Sequence, residues 1–443
     1  MITLKQAAAW CGGTVLPEYE NVEFFGACND SRKIQPGQLF AALVAERDGH
    51  DYIPDALKNG AAAVLGQRQL PGVPMIVVPN SGRGLMVLAA GWRRELEGTR
   101  VIGLTGSVGK TTAKEMCAAA CGSLRSTVKT LGNLNNEIGV PLTVLSIPRG
   151  TECAVVEMGM SNAGELSRLT RIARPHVAII TMIGKMHIQN FKDGQAGICR
   201  AKLEILEGLE PGGTAVLNGD DPLLRAAAPA VKALWFGLGP DNDLRAEEIR
   251  TDTRGISFFA VGLGQRIPVR LPVPGEHNVM NALAALLAAQ CVGIPMQTAA
   301  AALADFKNTG NRMRIFEARG FTLLADCYNA GPESTPAALK VLRDRPARGR
   351  RIAVLGDMLE LGDHASESHR AVGELAAQCA DLILAYGPLS ADIAAAAGDK
   401  ARHFLDKAAL LAALQELARP GDAILFKASH GMCLEQVLNE FTM

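Results

Sequence analysis

Apolar residues recur along this chain in two rhythms, and the order of those rhythms predicts a mixed α/β protein. Up to about residue 97, short β-like runs at 39–43, 62–65 and 74–78 are mixed with short helical stretches. A different pattern begins at Thr99. Val101-Ile102-Gly103-Leu104 is an unbroken apolar run, followed by a glycine-bearing loop and a helical pattern from Lys110 to about Cys121. Further strands are expected at 154–157, 177–183 and 215–217, with helices at 164–173 and 196–208. After Pro222 the segments 256–261 and 267–271 read as antiparallel strands, and 279–289 as an alanine-rich helix. A second βα series starts near Gly320, with strands at 322–326, 351–356, 382–386 and 423–426. Strands that alternate with helices build largely parallel sheets covered on both faces. The expectation is an α/β chain of three domains: 1–97, small and N-terminal; 98–313, central, with a mainly parallel sheet; and 314–443, C-terminal.

Length agrees with this division, since 443 residues exceed one ordinary core. Lysine plus arginine equals aspartate plus glutamate at 45 each, so no global field draws the protein to nucleic acid or anionic lipid. The ten cysteines form no CxxC pair, and several, such as Cys153, sit inside apolar runs. Thiols used as small hydrophobes point to a reducing compartment. The first residues lack a charged region followed by a long apolar stretch, and apolar runs such as 282–289 are too short to span a bilayer. The protein is therefore expected to be a cytoplasmic monomer, without membrane insertion or a nucleic-acid partner.

Chemistry first shows itself in the loop after the strand at 101–104. Thr105-Gly106-Ser107-Val108-Gly109-Lys110-Thr111-Thr112 lies between a strand and a helix. Small residues let successive N–H groups face phosphate oxygens, and the helix N-terminus adds its positive end. Lys110 would reach the β- and γ-phosphates and Thr111 would hold magnesium. The strict P-loop spacing fails at its first glycine, where Leu104 stands. The competing reading is a strand-to-helix turn with an incidental lysine. Glu157 ends one predicted strand and His187 follows the next, at the edge where ligands of a parallel sheet bind. Both could meet magnesium and the γ-phosphate. Taken singly, a histidine such as His187 is more often a hydrogen-bonded structural residue, and a helix lysine such as Lys202 more often a solvated partner of nearby glutamates.

The phosphate loop, Glu157, His187, Ala201-Lys202-Leu203-Glu204-Ile205 and Gly275-Glu276-His277-Asn278-Val279-Met280-Asn281-Ala282 together resemble the Mur ligase family. Asp30-Ser31-Arg32, Gly132-Asn133-Leu134-Asn135-Asn136, Asp326-Cys327-Tyr328-Asn329 and Leu355-Gly356-Asp357-Met358 extend the likeness to most of the sequence. The resemblance implies an N-terminal UDP-binding domain, a central ATP-binding domain and a C-terminal Rossmann-like domain. It implies ATP and Mg2+ as cofactors, and UDP-N-acetylmuramoyl-tripeptide and D-alanyl-D-alanine as small-molecule substrates. The carboxylate would be activated as an acyl phosphate before the amine attacks. By the same resemblance Thr111 and Glu157 hold one magnesium. Glu157, His187 and Lys202, the last as a carbamate, set up a second. Asn278 and Asn281 lie beside adenine, Arg312 reaches ATP phosphates, and Asp326 holds the ribose. Asn135 and Asn136 meet substrate, Ser31 and Arg32 meet the uridine diphosphate, and His277 is structural.

Three places depart from the family pattern. Asn329-Ala330-Gly331-Pro332 stands where an Asn-Ala-Asn-Pro run is usual, and Lys427-Ala428-Ser429-His430 where Lys-Gly-Ser-Arg is usual. Lys185 stands where a small or acidic residue is expected. Sibling ligases for a diamino acid carry Asp-Asn-Pro-Arg, which is missing here, and a folylpolyglutamate synthase would lack Asp30-Ser31-Arg32. A regulatory P-loop switch would leave the 133–136 loop and the C-terminal segment unexplained.

Overall fold

The computed structural model describes residues 1–227, 229–252, 254–308 and 312–443, whose strands gather into four sheets. Ile2–Thr3 and Glu23–Phe24 form a short antiparallel pair. Beside it Ala27–Cys28, Leu39–Ala41, Ala63–Gly66 and Met75–Val77 form a parallel sheet. Its central strands, Leu39–Ala41 and Ala63–Gly66, are buried throughout, as continuous apolar runs covered on both faces must be. The helix Ser81–Glu95 follows, capped by the Asn80 side chain, which accepts from the Arg83 N–H. Leu85, Leu88, Ala89 and Trp92 recur at helical spacing and form its buried stripe.

The largest sheet has nine strands. Thr127–Lys129, Cys153–Glu157, Arg100–Thr105, Val177–Ile180, Thr214–Asn218, Ala233–Gly237 and Leu244–Asp252 run parallel, in that spatial order. Gly255–Gly262 and Gln265–Leu271 then fold back as an antiparallel meander on the same sheet. The expected strand 177–183 stops at Ile180, and the rest of that run leaves as a loop. The expected helix 196–208 is an α-helix over Gly194–Leu203 continued by a tighter turn over Glu204–Gly208. The backbone leaves Arg100–Thr105 toward one side of the sheet and later returns to build the other. That reversal opens a crevice at the carboxyl ends of the strands. The alanine-rich helix Glu276–Cys291 packs its small side chains against the helix Lys110–Gly122, which brings it up to the same edge.

In the six-stranded sheet, Arg314–Ala318 pairs antiparallel with Phe321–Asp326. Ala423–Lys427, Arg351–Gly356, Leu382–Tyr386 and Ala401–Phe404 continue it in parallel. The last strand in sequence, Ala423–Lys427, is thus inserted near the middle and is wholly buried. Its register sets Lys427 directly beside Asp326 at the strand ends.

Eight strands had no sequence expectation: Ile2–Thr3, Glu23–Phe24, Ala27–Cys28, Thr127–Lys129, Ala233–Gly237, Leu244–Asp252, Arg314–Ala318 and Ala401–Phe404. Two of these, Thr127–Lys129 and Ala401–Phe404, are short, half-exposed edge strands without an apolar run. Leu244–Asp252 loses its alternation at an irregularity between Glu247 and Arg250, where Glu248 takes φ 52°. Among the described residues no helix is long and apolar enough to cross a membrane. All ten cysteines are free thiols.

Candidate active site

The phosphate loop is held from beneath by the neighbouring strand's exit. Ser107 N–H donates to the Met182 carbonyl at 3.0 Å, Gly184 N–H donates to Ser107 Oγ at 2.8 Å, and Thr181 Oγ1 donates to the Val108 carbonyl at 2.5 Å. Gly109 caps the helix at φ 88°, and a Cβ there would lie 2.6 Å from Asn281 Oδ1. Both backbone conformation and the approach of the alanine-rich helix therefore require glycine. Lys110 Nζ folds back to donate to the carbonyls of Gly106, at 2.7 Å, and Ser107, at 3.3 Å. Burial pushes its pKa down to about 8, with Glu157 opposing and Arg312 adding to the shift.

Glu157 ends its strand beside this loop. Its Oε1 accepts from Thr111 Oγ1 at 3.2 Å and from Asn135 Nδ2 at 2.9 Å, and its N–H donates to Thr130 Oγ1. Its Oε2 is buried without a hydrogen-bond donor among the described residues, with Lys114 Nζ at 3.5 Å. Lys114 is itself buried, and donates to the Gly132 carbonyl. The sequence reading did not single out Lys114. The available signal was its position one turn beyond Lys110, on the same helix and near Thr111.

His187 adopts φ 61°, and its ring lies against Glu360 of the C-terminal segment. Its Nδ1 lies 2.6 Å from Glu360 Oε2 but out of line for a hydrogen bond. Burial lowers its pKa, Glu360 opposes, and the charges of Lys110 and Lys202 add. Lys202 is buried, and neither nearby carboxylate pairs with it. Glu204 accepts from the N–H groups of Gly164 and Ser167, while Glu207 binds the Ser167 hydroxyl and Arg171. Burial, then the charge of Lys110, holds Lys202 well below the usual lysine range.

Lys110, Glu157 and His187 open on a cleft of about 450 Å³ between the nine- and six-stranded sheets. One side presents Ser107, Val108, Gly109, Lys110, Thr111, Thr112, Asn135, Asn136, Glu157 and His187, with Asn278 and Asn281 beside them. The other side presents Arg312, Asp326, Tyr328, Asn329, Glu333 and Lys427. Lys427 Nζ donates to Asp326 Oδ2 at 2.6 Å and to the Asn329 carbonyl at 2.9 Å, and Arg312 stacks 3.9 Å over Tyr328. His277, read from the sequence as structural, is on the wall as well. Thr105, Gly106 and Lys202 are not wall residues; Thr105 is buried beneath the loop with no partner for its hydroxyl among the described residues. Ser31 and Arg32 are not on this wall either. The Arg32 guanidinium forks onto Asp30, holding that carboxyl down at about 2. Glu333 and Lys427 had no role assigned from sequence.

The Thr111 hydroxyl and the donor-free oxygen of Glu157 are hard donors beside a loop shaped for phosphates, which fits magnesium. Among the described residues no three His, Cys, Asp or Glu side chains gather into a ready-made metal cage. Magnesium commonly completes its shell with waters and substrate phosphates, so one carboxylate and a hydroxyl suffice.

Residues 104–289 match the Mur ligase middle domain, and residues 311–430 the Mur ligase, glutamate ligase domain. The chain is 41% identical to the UDP-N-acetylmuramoyl-tripeptide–D-alanyl-D-alanine ligase of Bacillus subtilis (strain 168), over 99% of this chain and 98% of that protein. A crystal structure of MurF from Acinetobacter baumannii superposes with a TM-score of 0.90 at 30% identity, covering 100% of this chain and 98% of that one. MurF ligase from Thermotoga maritima in complex with ADP gives a TM-score of 0.83 at 30% identity, covering 95% and 97%.

Proposed function

The chain belongs to the Mur ligase family, and we propose that it joins D-alanyl-D-alanine to UDP-N-acetylmuramoyl-tripeptide at the expense of ATP, supplying peptidoglycan precursors. The observation that carries this reading is the cleft, in which a phosphate loop on one sheet faces Asp326, Lys427 and Glu333 on another. A carboxylate cannot expel oxide when an amine attacks it. Phosphorylation turns that oxygen into a leaving group, and two sheets facing one cavity allow nucleotide, acyl donor and amine to meet.

In this reading the loop N–H groups and Lys110 bind the β- and γ-phosphates. Lys110 exchanges the carbonyls of Gly106 and Ser107 for phosphate oxygens, and its charge offsets the charge that builds up during transfer. Asn278 and Asn281 lie beside adenine, Arg312 reaches the phosphates, and Asp326, steadied by Lys427, holds the ribose. Asn135 and Asn136 face the acyl donor, and Ser31 and Arg32 take its uridine diphosphate end. Thr111, Glu157, His187 and Lys202 would hold Mg2+, which when bound supplies neutralisation of phosphate charge. Lys202 enters that set as a carbamate. Its burial and lack of an anionic partner among the described residues favour the neutral amine that adds carbon dioxide and releases a proton.

The bounds 1–97, 98–313 and 314–443 belong to the same proposal. Their support is that strand pairing among the described residues stays within each of them. Action in the cytoplasm as a monomer completes it. The deciding experiment measures phosphate release from ATP with UDP-N-acetylmuramoyl-tripeptide, with and without D-alanyl-D-alanine. Release is expected to need both. Turnover with a single amino acid on the dipeptide nucleotide, and none with D-alanyl-D-alanine, would transfer the protein to a sibling activity.

A further inference from the structure

Four carboxylates wall the cleft, and their oxygens are not equally satisfied. Glu165 accepts from the Ser161 N–H and from Asn162 Nδ2, and Asp326 from the Met313 N–H and Lys427. Glu157 Oε1 serves Thr111 and Asn135, and its Oε2, which also lacks a donor among the described residues, has Lys114 at 3.5 Å. Glu333 differs from Glu157 in having no cation paired with it among the described residues. Its Oε1 accepts from the Lys185 N–H at 2.7 Å, while Oε2 is closed off from solvent with no donor among the described residues. A buried carboxylate oxygen without a donor is costly, so a cationic or N–H donor is the missing partner.

The position of Glu333 says which reactant supplies that donor. It precedes the helix Ser334–Asp344 on the C-terminal side of the cleft, opposite the phosphate loop. Lys185 lies in the loop leaving Val177–Ile180, so the bond to its backbone pins the carboxylate across the gap between sheets. Gly184 admits this approach, because a Cβ there would lie 2.6 Å from the Glu333 carboxyl carbon. Lys110, Arg312 and Lys427 on the wall are cations, suited to phosphates and to Asp326. The remaining reactant is an amine, which arrives as an ammonium.

We propose that Glu333 binds the α-ammonium of the incoming amine through Oε2 and so orients its nitrogen. The inference rests on the ligase reading above, in which that amine is D-alanyl-D-alanine. A charge-assisted bond to a pinned carboxylate both holds the nitrogen and rejects analogues that lack the charge.

Glu333→Gln in the full-length protein keeps a carbonyl oxygen for the Lys185 N–H but removes the charge. The KM for D-alanyl-D-alanine should rise roughly 10- to 100-fold, with the KM values for ATP and the tripeptide nucleotide within about twofold. With the unmodified protein, D-lactyl-D-alanine, which has a hydroxyl in place of the ammonium, should bind at least about tenfold more weakly than the dipeptide. Its weak binding should be the same in the variant. An unchanged dipeptide KM in Glu333→Gln overturns the proposal, as does a common rise in all three KM values, which marks a latch between the sheets. Equal binding of the dipeptide and its hydroxyl analogue to the unmodified protein overturns it even if the variant fails to fold. If the unmodified protein ignores D-alanyl-D-alanine and uses another amine, the substrate reading has failed, and the same comparison with that amine decides the role of Glu333.

Discussion

Lys110 folds its ammonium onto two carbonyls of its own loop, so the loop keeps its shape while the charge stays available for phosphate. Lys110→Ala should leave the fold intact, because Ser107, Val108 and Gly109 are held by Met182, Thr181 and backbone conformation. Turnover should fall on the order of a hundredfold or more, as for loss of a group aimed at transition-state charge. Near-normal turnover in a folded variant would remove the loop from the chemistry. Lys202 allows a sharper test. An ammonium buried near Lys110 and His187, with Glu204 and Glu207 engaged elsewhere, has no anionic partner among the described residues; a carbamate would reverse its charge. Protein supplied with carbon-13 bicarbonate should show a carbamate carbon resonance that Lys202→Ala lacks. Short carboxylates such as acetate should restore part of the activity of that variant. Full activity without rescue, and no resonance in the parent, would leave Lys202 an ordinary buried lysine. The residues legible from sequence were those whose type and motif carry chemistry: Lys110, Thr111, Glu157, His187. Lys114 and Glu333 were not legible, because a lysine one turn along a helix and a glutamate before one acquire meaning only from what lies across the gap.

Strands with continuous apolar runs, such as Arg100–Thr105 and Cys153–Glu157, were readable because burial on both faces dictates their composition. Thr127–Lys129 and Arg314–Ala318 were not, since edge strands owe their place to a neighbour's hydrogen bonds rather than to their own pattern. The bottom of the central sheet shows how such bonds create a pH dependence. His176 precedes Val177–Ile180, and its N–H donates to the Val101 carbonyl at 2.7 Å. The Val101 N–H returns a bond to His176 Nδ1 at 3.1 Å, so the imidazole must accept there. Burial, with the nearby charges of Arg93 and Arg100, pushes the His176 pKa down to about 4 from an ordinary 6.5. Between these values the unfolded protein binds the proton and the folded one does not, so stability falls as pH drops from about 6.5 to about 4. The loss should be about 2 kcal/mol, below the full value of the shift because His176 is only half-buried. Urea titrations across that range should show it. His176→Asn, whose side-chain oxygen can accept from Val101, should flatten this part of the profile. An identical profile in the variant would assign the acid loss to other groups.

At the scale of the whole molecule the two outer parts are fastened to the central sheet in different ways. Toward the N-terminal side, Trp92 Nε1 donates to the Ile147 carbonyl at 3.0 Å, and Arg93 donates to the carbonyls of Ala173 and Arg174. These bonds are carried by a helix whose apolar stripe is buried, and Arg149 covers the Trp92 ring. Toward the C-terminal side the polar contacts include Lys185 with Glu333, His187 with Glu360, Asn329 with Met186 and, next to the connection itself, Met313 with Asp326 and Arg312 with Tyr328, and they lie around the cleft. Such contacts are easily exchanged for ligand or water, whereas buried tryptophan and arginine contacts are not. The C-terminal part is therefore the one expected to move. Bound ATP would touch Asn278 and Asn281 on one side and Asp326 on the other, adding a bridge where the direct contacts are few. A compact protein of this length has a radius of gyration of about 22 Å. Solution scattering should give a larger value without ligands, and a fall toward it with saturating ATP and tripeptide nucleotide. Trp92→Ala should lower the melting temperature but leave that fall in place, because it loosens the fixed side rather than the moving one. Scattering that does not change with both ligands present would mean the cleft is already closed in solution, and that substrates enter without movement of the C-terminal sheet.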